Sequence, residues 1–156
     1  MRIWVDADAA PREIKDVVAR AAARLELCAA FVANKHLYTP ANNAYVTAER
    51  VEGGPDAADD HIARAAAPGD LAITADIPLA ARLVEKGVAV IDPRGTEYTP
   101  ANVRERLSVR DFMEGLRGSG VETGGPGGFG PREKRAFAAT FDRVLTRLRR
   151  TAGPAD

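Results

Sequence analysis

An α/β chain is predicted, a three-layer sandwich whose central, mainly parallel five-stranded sheet is completed by C-terminal helices. Three observations carry this. Short runs at 2–5, 28–33, 71–74 and 88–91 are apolar almost throughout, as strands covered on both faces are. Between most of the strand runs, apolar residues recur at helical spacing, and strands alternating with helices build parallel sheets. The length of 156 residues and a hydrophobic share of 46% suit one compact domain with a sizeable core.

The elements follow in order. Residues 2–5 form a first strand. Asp8 or Ala10 is expected to open the next helix, with Pro11 at its first position, where a missing N–H costs nothing. Ile14, Val17, Val18, Ala21 and Leu25 then share one helical face. Residues 28–33 form a second strand and 44–51 a third, which Gly53-Gly54-Pro55 ends. Residues 56–67 are helical, with Ile62, Ala65 and Ala66 inward. Pro68-Gly69-Asp70 is a turn and 71–74 the fourth strand. Asp76 caps a helix over 77–86, and Gly87 ends it in the left-handed position. Residues 88–91 are the fifth strand, after which Pro93-Arg94-Gly95 turns the chain out of the sheet. Residues 100–118 and 131–150 are amphipathic helices. Residues 119–130 are a glycine-rich linker without the Gly-Lys-Ser/Thr of a nucleotide-phosphate loop. The expected organisation is a domain over 1–118, that linker, and a helix over 131–150 docked on the same domain or on a partner such as a second copy in a homo-oligomer.

Lys+Arg and Asp+Glu both number 22, so net charge is silent about partners. Its distribution is not. Residues 103–150 carry a basic surplus and residues 1–102 an acidic one, which fits a metal centre beside a polyanion-binding face. Aromatics are only 6%, so base stacking is weak and the core is built from Ala, Val, Leu and Ile. Cys28 is alone, which excludes an internal disulfide, suits a reducing compartment and reads as a small buried hydrophobe. The N-terminus is acidic by its sixth residue, unlike a signal peptide. No apolar run approaches the ~20 residues of a membrane span. A cytoplasmic protein with no membrane association is expected.

Carboxylates carry the chemistry. Asp6 and Asp8 follow the first strand, Asp76 follows the fourth, and Asp56, Asp59 and Asp60 lie in the first turn of a helix. In open α/β sheets the functional crevice lies at the carboxyl ends of the strands. Carboxylates gathered there need a counter-charge, and Mg²⁺ or Mn²⁺ is the most economical one. Asp6, Asp56, Asp59 and Asp76 are the candidate catalytic residues, and with Asp8 the candidate metal ligands. Thr74, Lys35, Arg94, Arg110 and Arg117 are candidate contacts to substrate, since arginine forks match phosphate; His36 lies beside Lys35. Neither His36 nor His61 has the spacing partner of a zinc site.

VDADAAP, FVAN, GPDAADDHI, GDLAITADIPLA, EKGVAVIDPRG and TGGPGGFG occur in this order. The ordered set resembles the YaiI/YqxD family of bacterial proteins, from residue 2 to about residue 148. That family is considered related to the PIN-like superfamily of metal-dependent ribonucleases. The resemblance therefore implies a PIN-like parallel sheet with an acidic centre. Asp6 matches the first acid of that centre, Asp56 or Asp59 the middle acids, and Asp76 the acid of the Thr-x-Asp segment. The family usually reads Asp-Ala-Asp-Ala-Cys-Pro; Ala10 replaces the cysteine here, which removes any thiol role and leaves the carboxylates.

The expected function is divalent-metal-dependent phosphodiester hydrolysis, with RNA as substrate and Mg²⁺ or Mn²⁺ as cofactor. The alternative is a non-catalytic nucleic-acid-binding or interaction module that keeps the acidic pocket. A haloacid-dehalogenase-type phosphatase is a third reading, with Asp6 as nucleophile. The order of segments argues against it, because Asp59-Asp60 precedes Thr74 rather than following it.

Overall fold

Side chains alternate across a strand, so a strand apolar at every position must be covered on both sides. A computed structural model describes residues 1–34, 43–54, 56–118 and 129–152, with 110–118 and 152 as backbone only. Of the glycine-rich linker over 119–130, residues 119–128 lie outside the described residues. The elements are β1 (Ile3–Asp6), α1 (Arg12–Leu25), β2 (Ala29–Ala33), β3 (Val46–Arg50), α2 (Ala57–Ala65), β4 (Leu71–Ile73), α3 (Ile77–Glu85), β5 (Ala89–Ile91), β6 (Glu97–Tyr98), α4 (Pro100–Gly118) and α5 (Pro131–Ala152).

The strands form one sheet in the order β3-β2-β1-β4-β5-β6. All neighbours are parallel except β5 and β6. Ile3, Val5, Phe31, Leu71 and Ile73 face one side, where Ile14 and Val18 of α1 and Phe137, Phe141 and Val144 of α5 cover them. Trp4, Ala30, Val32, Ala72 and Val90 face the other, under Ile62 of α2, Leu79 and Leu83 of α3 and Val103 of α4. The result is three layers, helices on both faces of a mainly parallel sheet. The C-terminal helix docks on its own chain: Phe137, Phe141, Val144 and Leu145 are all buried.

Several expectations are corrected. The sheet has six strands, because the chain does not leave it after β5. Asp92 accepts from the backbone N–H groups of Arg94 and Thr96, each at 2.9 Å. Gly95 then adopts φ 94°, and the chain returns as antiparallel β6. A Cβ on Gly95 would lie 2.7 Å from the Ala136 carbonyl of α5, so glycine is required both for the turn and for the approach of the helix. Neither Asp8 nor Ala10 opens α1; Pro11 is its N-cap, with no side-chain cap bond. Cys28 is exposed, because it lies in the connection just before β2 rather than in the strand. Ala65 is exposed, while Ile62 and Ala66 are buried. Asp76 does cap α3, accepting from Leu79 N–H at 2.8 Å.

β1 is the centre of the architecture. The chain passes from β1 through α1 to β2 on one side, and from β3 through α2 to β4 on the other. The crossover directions therefore diverge between β1 and β4, which opens a crevice at their carboxyl ends. At the opposite end of the same strands, buried Asp70 accepts from the N–H of Arg2, the N–H of Ala67 and the indole Nε1 of Trp4, all at 3.0 Å.

Candidate metal centre

The register between β1 and β4 pairs Val5 with Ile73. One step further, Asp6 and Thr74 stand side by side at the crevice. Both are buried, with exposures of 6% and 1%. Thr74 Oγ1 donates to Asp6 Oδ2 at 2.9 Å and accepts from Asp76 N–H at 3.0 Å. Thr74 thus orients the Asp6 carboxylate and the backbone of Asp76.

A depression of about 310 Å³ opens over this pair, lined by Asp6, Asp8, Ala9, Ala58, Asp59, Ala75 and Asp76. Four of its seven lining residues are carboxylates, three are alanines and none is a cation. The alanines matter sterically: Ala58 is buried against the sheet, which lets the first turn of α2 bring Asp59 up to Asp6 and Asp76.

The electrostatics follow from this crowding. Burial holds the Asp6 carboxyl above the usual carboxylate range against the opposing Thr74 bond, and the charges of Asp76 and Asp8 raise it further. Asp59 is pushed up to about 7 by burial, by the charges of Asp6 and Asp76, by a hydrogen bond to Asp76, and by Asp56. The Asp59 carboxyl therefore takes up a proton in the neutral range. The sign for stability is opposite to that of a salt-bridged carboxylate. Because the folded value exceeds the unfolded one, the stabilisation is complete below about pH 4 and is lost as pH rises through about 7. Substituting Asp59→Asn removes this dependence. The stability of the variant minus that of wild type should therefore grow between pH 5 and pH 8 in metal-free buffer, read from urea midpoints. An equal difference at both pH values would contradict the crowding of Asp59 by Asp6 and Asp76.

The other candidates divide. Asp8 lines the depression and accepts from Asn34 N–H at 2.8 Å, an anchor that the FVAN segment supplies and that sequence reasoning missed. Asp56 is exposed at the N-cap of α2 without a side-chain cap bond, and it is not among the lining residues. Asp60 pairs with Arg82 at 2.9 Å. Arg94 faces Glu133 of α5 at 3.8 Å, away from the lining. His61 is half-buried, edge-on to Trp4 and 3.3 Å from Glu49. Lys35 and His36 lie outside the described residues, as do the side chains of Arg110 and Arg117.

An all-carboxylate donor set suits a hard divalent cation such as Mg²⁺ or Mn²⁺ over zinc. Among the described residues, no three His, Cys, Asp or Glu side chains are arranged to hold an ion as they stand. The donor chemistry fits; closure around an ion requires the exposed carboxylates to turn inward.

Fold and site together define an α/β protein with a carboxylate crevice, lined by no cation among the described residues, at the switch point of a parallel sheet. The chain belongs to the YaiI/YqxD family: residues 4–147 match the family described as "Uncharacterized BCR, YaiI/YqxD family". It is 55% identical to a UPF0178 protein of Myxococcus xanthus over 97% of this chain and 98% of that one. A UPF0178 protein of Syntrophobacter fumaroxidans is 55% identical over 94% and 95% of the two chains. The UPF0178 protein YaiI of an Escherichia coli O81 strain is 48% identical over 98% of this chain and all of its own. No solved structure matches. Among the described residues, no helix is long and apolar enough to cross a membrane.

Proposed function

We propose that this protein is a Mg²⁺- or Mn²⁺-dependent phosphodiesterase that acts on RNA. One observation carries the reading: four aspartates line a single depression, and among the described residues no cation lines it. Asp6, Asp59 and Asp76 would hold the ion, with Asp8 beside them. When bound, it supplies charge neutralisation and Lewis acidity at phosphoryl oxygens, and a lowered pKa for water. Thr74 keeps the Asp6 carboxylate in one orientation, and the α3 cap keeps Asp76 in another. The raised proton affinity of Asp59 belongs to the metal-free protein; an ion bound there would favour the ionised carboxylate, so proton and metal would compete for it. The basic C-terminal part supports a polyanionic substrate, and the PIN-like relation that the resemblance implies supports RNA.

A second reading is favoured by the spread of the carboxylates, no three of which are arranged to hold an ion as they stand. It is a non-catalytic nucleic-acid-binding module that keeps the pocket. End-labelled RNA incubated with purified protein and Mn²⁺ separates the two. Cleavage that EDTA stops supports the enzyme; binding without cleavage at any Mn²⁺ concentration supports the module and removes the hydrolase.

A further inference from the structure

We propose that the face built by α1 and α5 docks the backbone of a single-stranded nucleic acid. The class of ligand rests on the reading above; the geometry of the face does not. Two depressions lie side by side here. The first, about 520 Å³, runs between the helices, with Ala21 and Phe141 in its floor and Arg20, Arg24 and Lys134 along it. The second, about 590 Å³, lies on α5 and carries Arg143, Arg147 and Arg150. Asp142, an acid, lines both, so the two adjoin there, and the basic residues of this track flank it on either side.

Six basic residues line this track against one acid, Asp142. Among the described residues, Arg20, Arg24, Lys134, Arg143 and Arg150 make no ion pair, and Arg147 pairs with Glu97. Arg20 and Arg24 are four apart on one helix, as are Arg143 and Arg147, so like charges face each other along the track. A polyanion relieves that repulsion and releases counter-ions of its own. Phe141 is only 2% exposed, so the floor offers no ring for base stacking, and contacts go to the backbone. α5 begins beside the turn after β5, where Glu133 faces Arg94. One end of the track therefore opens toward the carboxyl edge of the sheet, the edge that holds the carboxylates. Arg20 and Arg24 come from the acidic part of the sequence, and only the packing of α5 on α1 joins them to the basic helix.

The test is fluorescence anisotropy with a labelled single-stranded oligoribonucleotide in EDTA, over a salt series, using the full chain. Wild type should bind with an affinity that falls steeply with salt, about 0.7 in log–log slope for each phosphate neutralised. The Arg20→Gln/Arg24→Gln/Lys134→Gln variant should bind about tenfold or more weakly, with a slope shallower by about 2. These substitutions, at exposed Arg20 and Arg24 and half-buried Lys134, should leave the thermal unfolding midpoint and its Mn²⁺ response unchanged. Unaltered oligonucleotide binding in the variant, or no binding by wild type, overturns the proposal. Equal competition by a polyglutamate peptide also overturns it, in favour of an acidic protein partner. Asp6→Asn should bind RNA like wild type, so loss of docking and loss of hydrolysis are read separately.

Discussion

Asp6→Asn should abolish Mn²⁺-dependent RNA cleavage while raising the melting temperature of the metal-free protein. The substitution keeps the shape of the side chain and an oxygen to accept from Thr74 Oγ1. It removes a buried charge that Asp76 and Asp8 oppose. Relief of that repulsion is worth about 1 kcal/mol, or about 2–4 °C for a chain of this length. A ligand bound at 100 times its dissociation constant stabilises wild type by about 2.7 kcal/mol, and the variant should lose most of that gain. Loss of a metal ligand at the reacting centre should lower cleavage by about 10³-fold or more. Scanning calorimetry with and without Mn²⁺, alongside the labelled-RNA assay, reads all three effects. A variant that cuts RNA like wild type would falsify the proposed centre. A variant less stable than wild type without metal would show that Asp6 is a structural carboxylate.

Much of this arrangement is legible in the sequence, for physical reasons. The strands of the central sheet are buried on both faces, so their apolar runs are almost continuous and stand out. Asp6 and Asp76 follow such runs directly, which places them at the carboxyl edge of a parallel sheet before any contact is known. The choice among Asp56, Asp59 and Asp60 is less accessible, because it depends on the phase of α2. Ala58 turns into the sheet, Asp59 turns toward Asp6, and Asp60 turns outward to Arg82. β6 is only two residues long, too short for a periodicity, although Asp-Pro-Arg-Gly-Thr contains the glycine of a hairpin turn. Asp8 looks like a helix cap in isolation; its partner, the backbone of Asn34, is distant in sequence and follows from the β1–β2 pairing. The depression between α1 and α5 is not legible at all, since it depends on how two helices from opposite ends of the chain pack.

Asp70→Ala should lower stability by about 3 kcal/mol, about 6–12 °C in melting temperature, without touching metal binding. Asp70 and Asp6 are both buried aspartates on the β1–β4 pair, one at each edge of the sheet. Their surroundings are opposite. Asp70 collects three donors, from Arg2, Trp4 and Ala67, and buried donors left without acceptors are costly. The Trp4 indole is 3% exposed, so water cannot replace the lost acceptor there. Asp6 has one side-chain donor and carboxylate neighbours. The same chemical change, Asp→Asn, should therefore have opposite signs at the two positions in metal-free protein: stabilising at Asp6, destabilising at Asp70, where an amide nitrogen would face an N–H. Urea unfolding of the two single variants in EDTA measures both. Opposite signs would show that the carboxyl edge is held under charge repulsion while the amino edge is saturated with hydrogen bonds. Equal signs would mean that burial alone governs both residues, and the carboxylate crevice would then carry no argument for a metal.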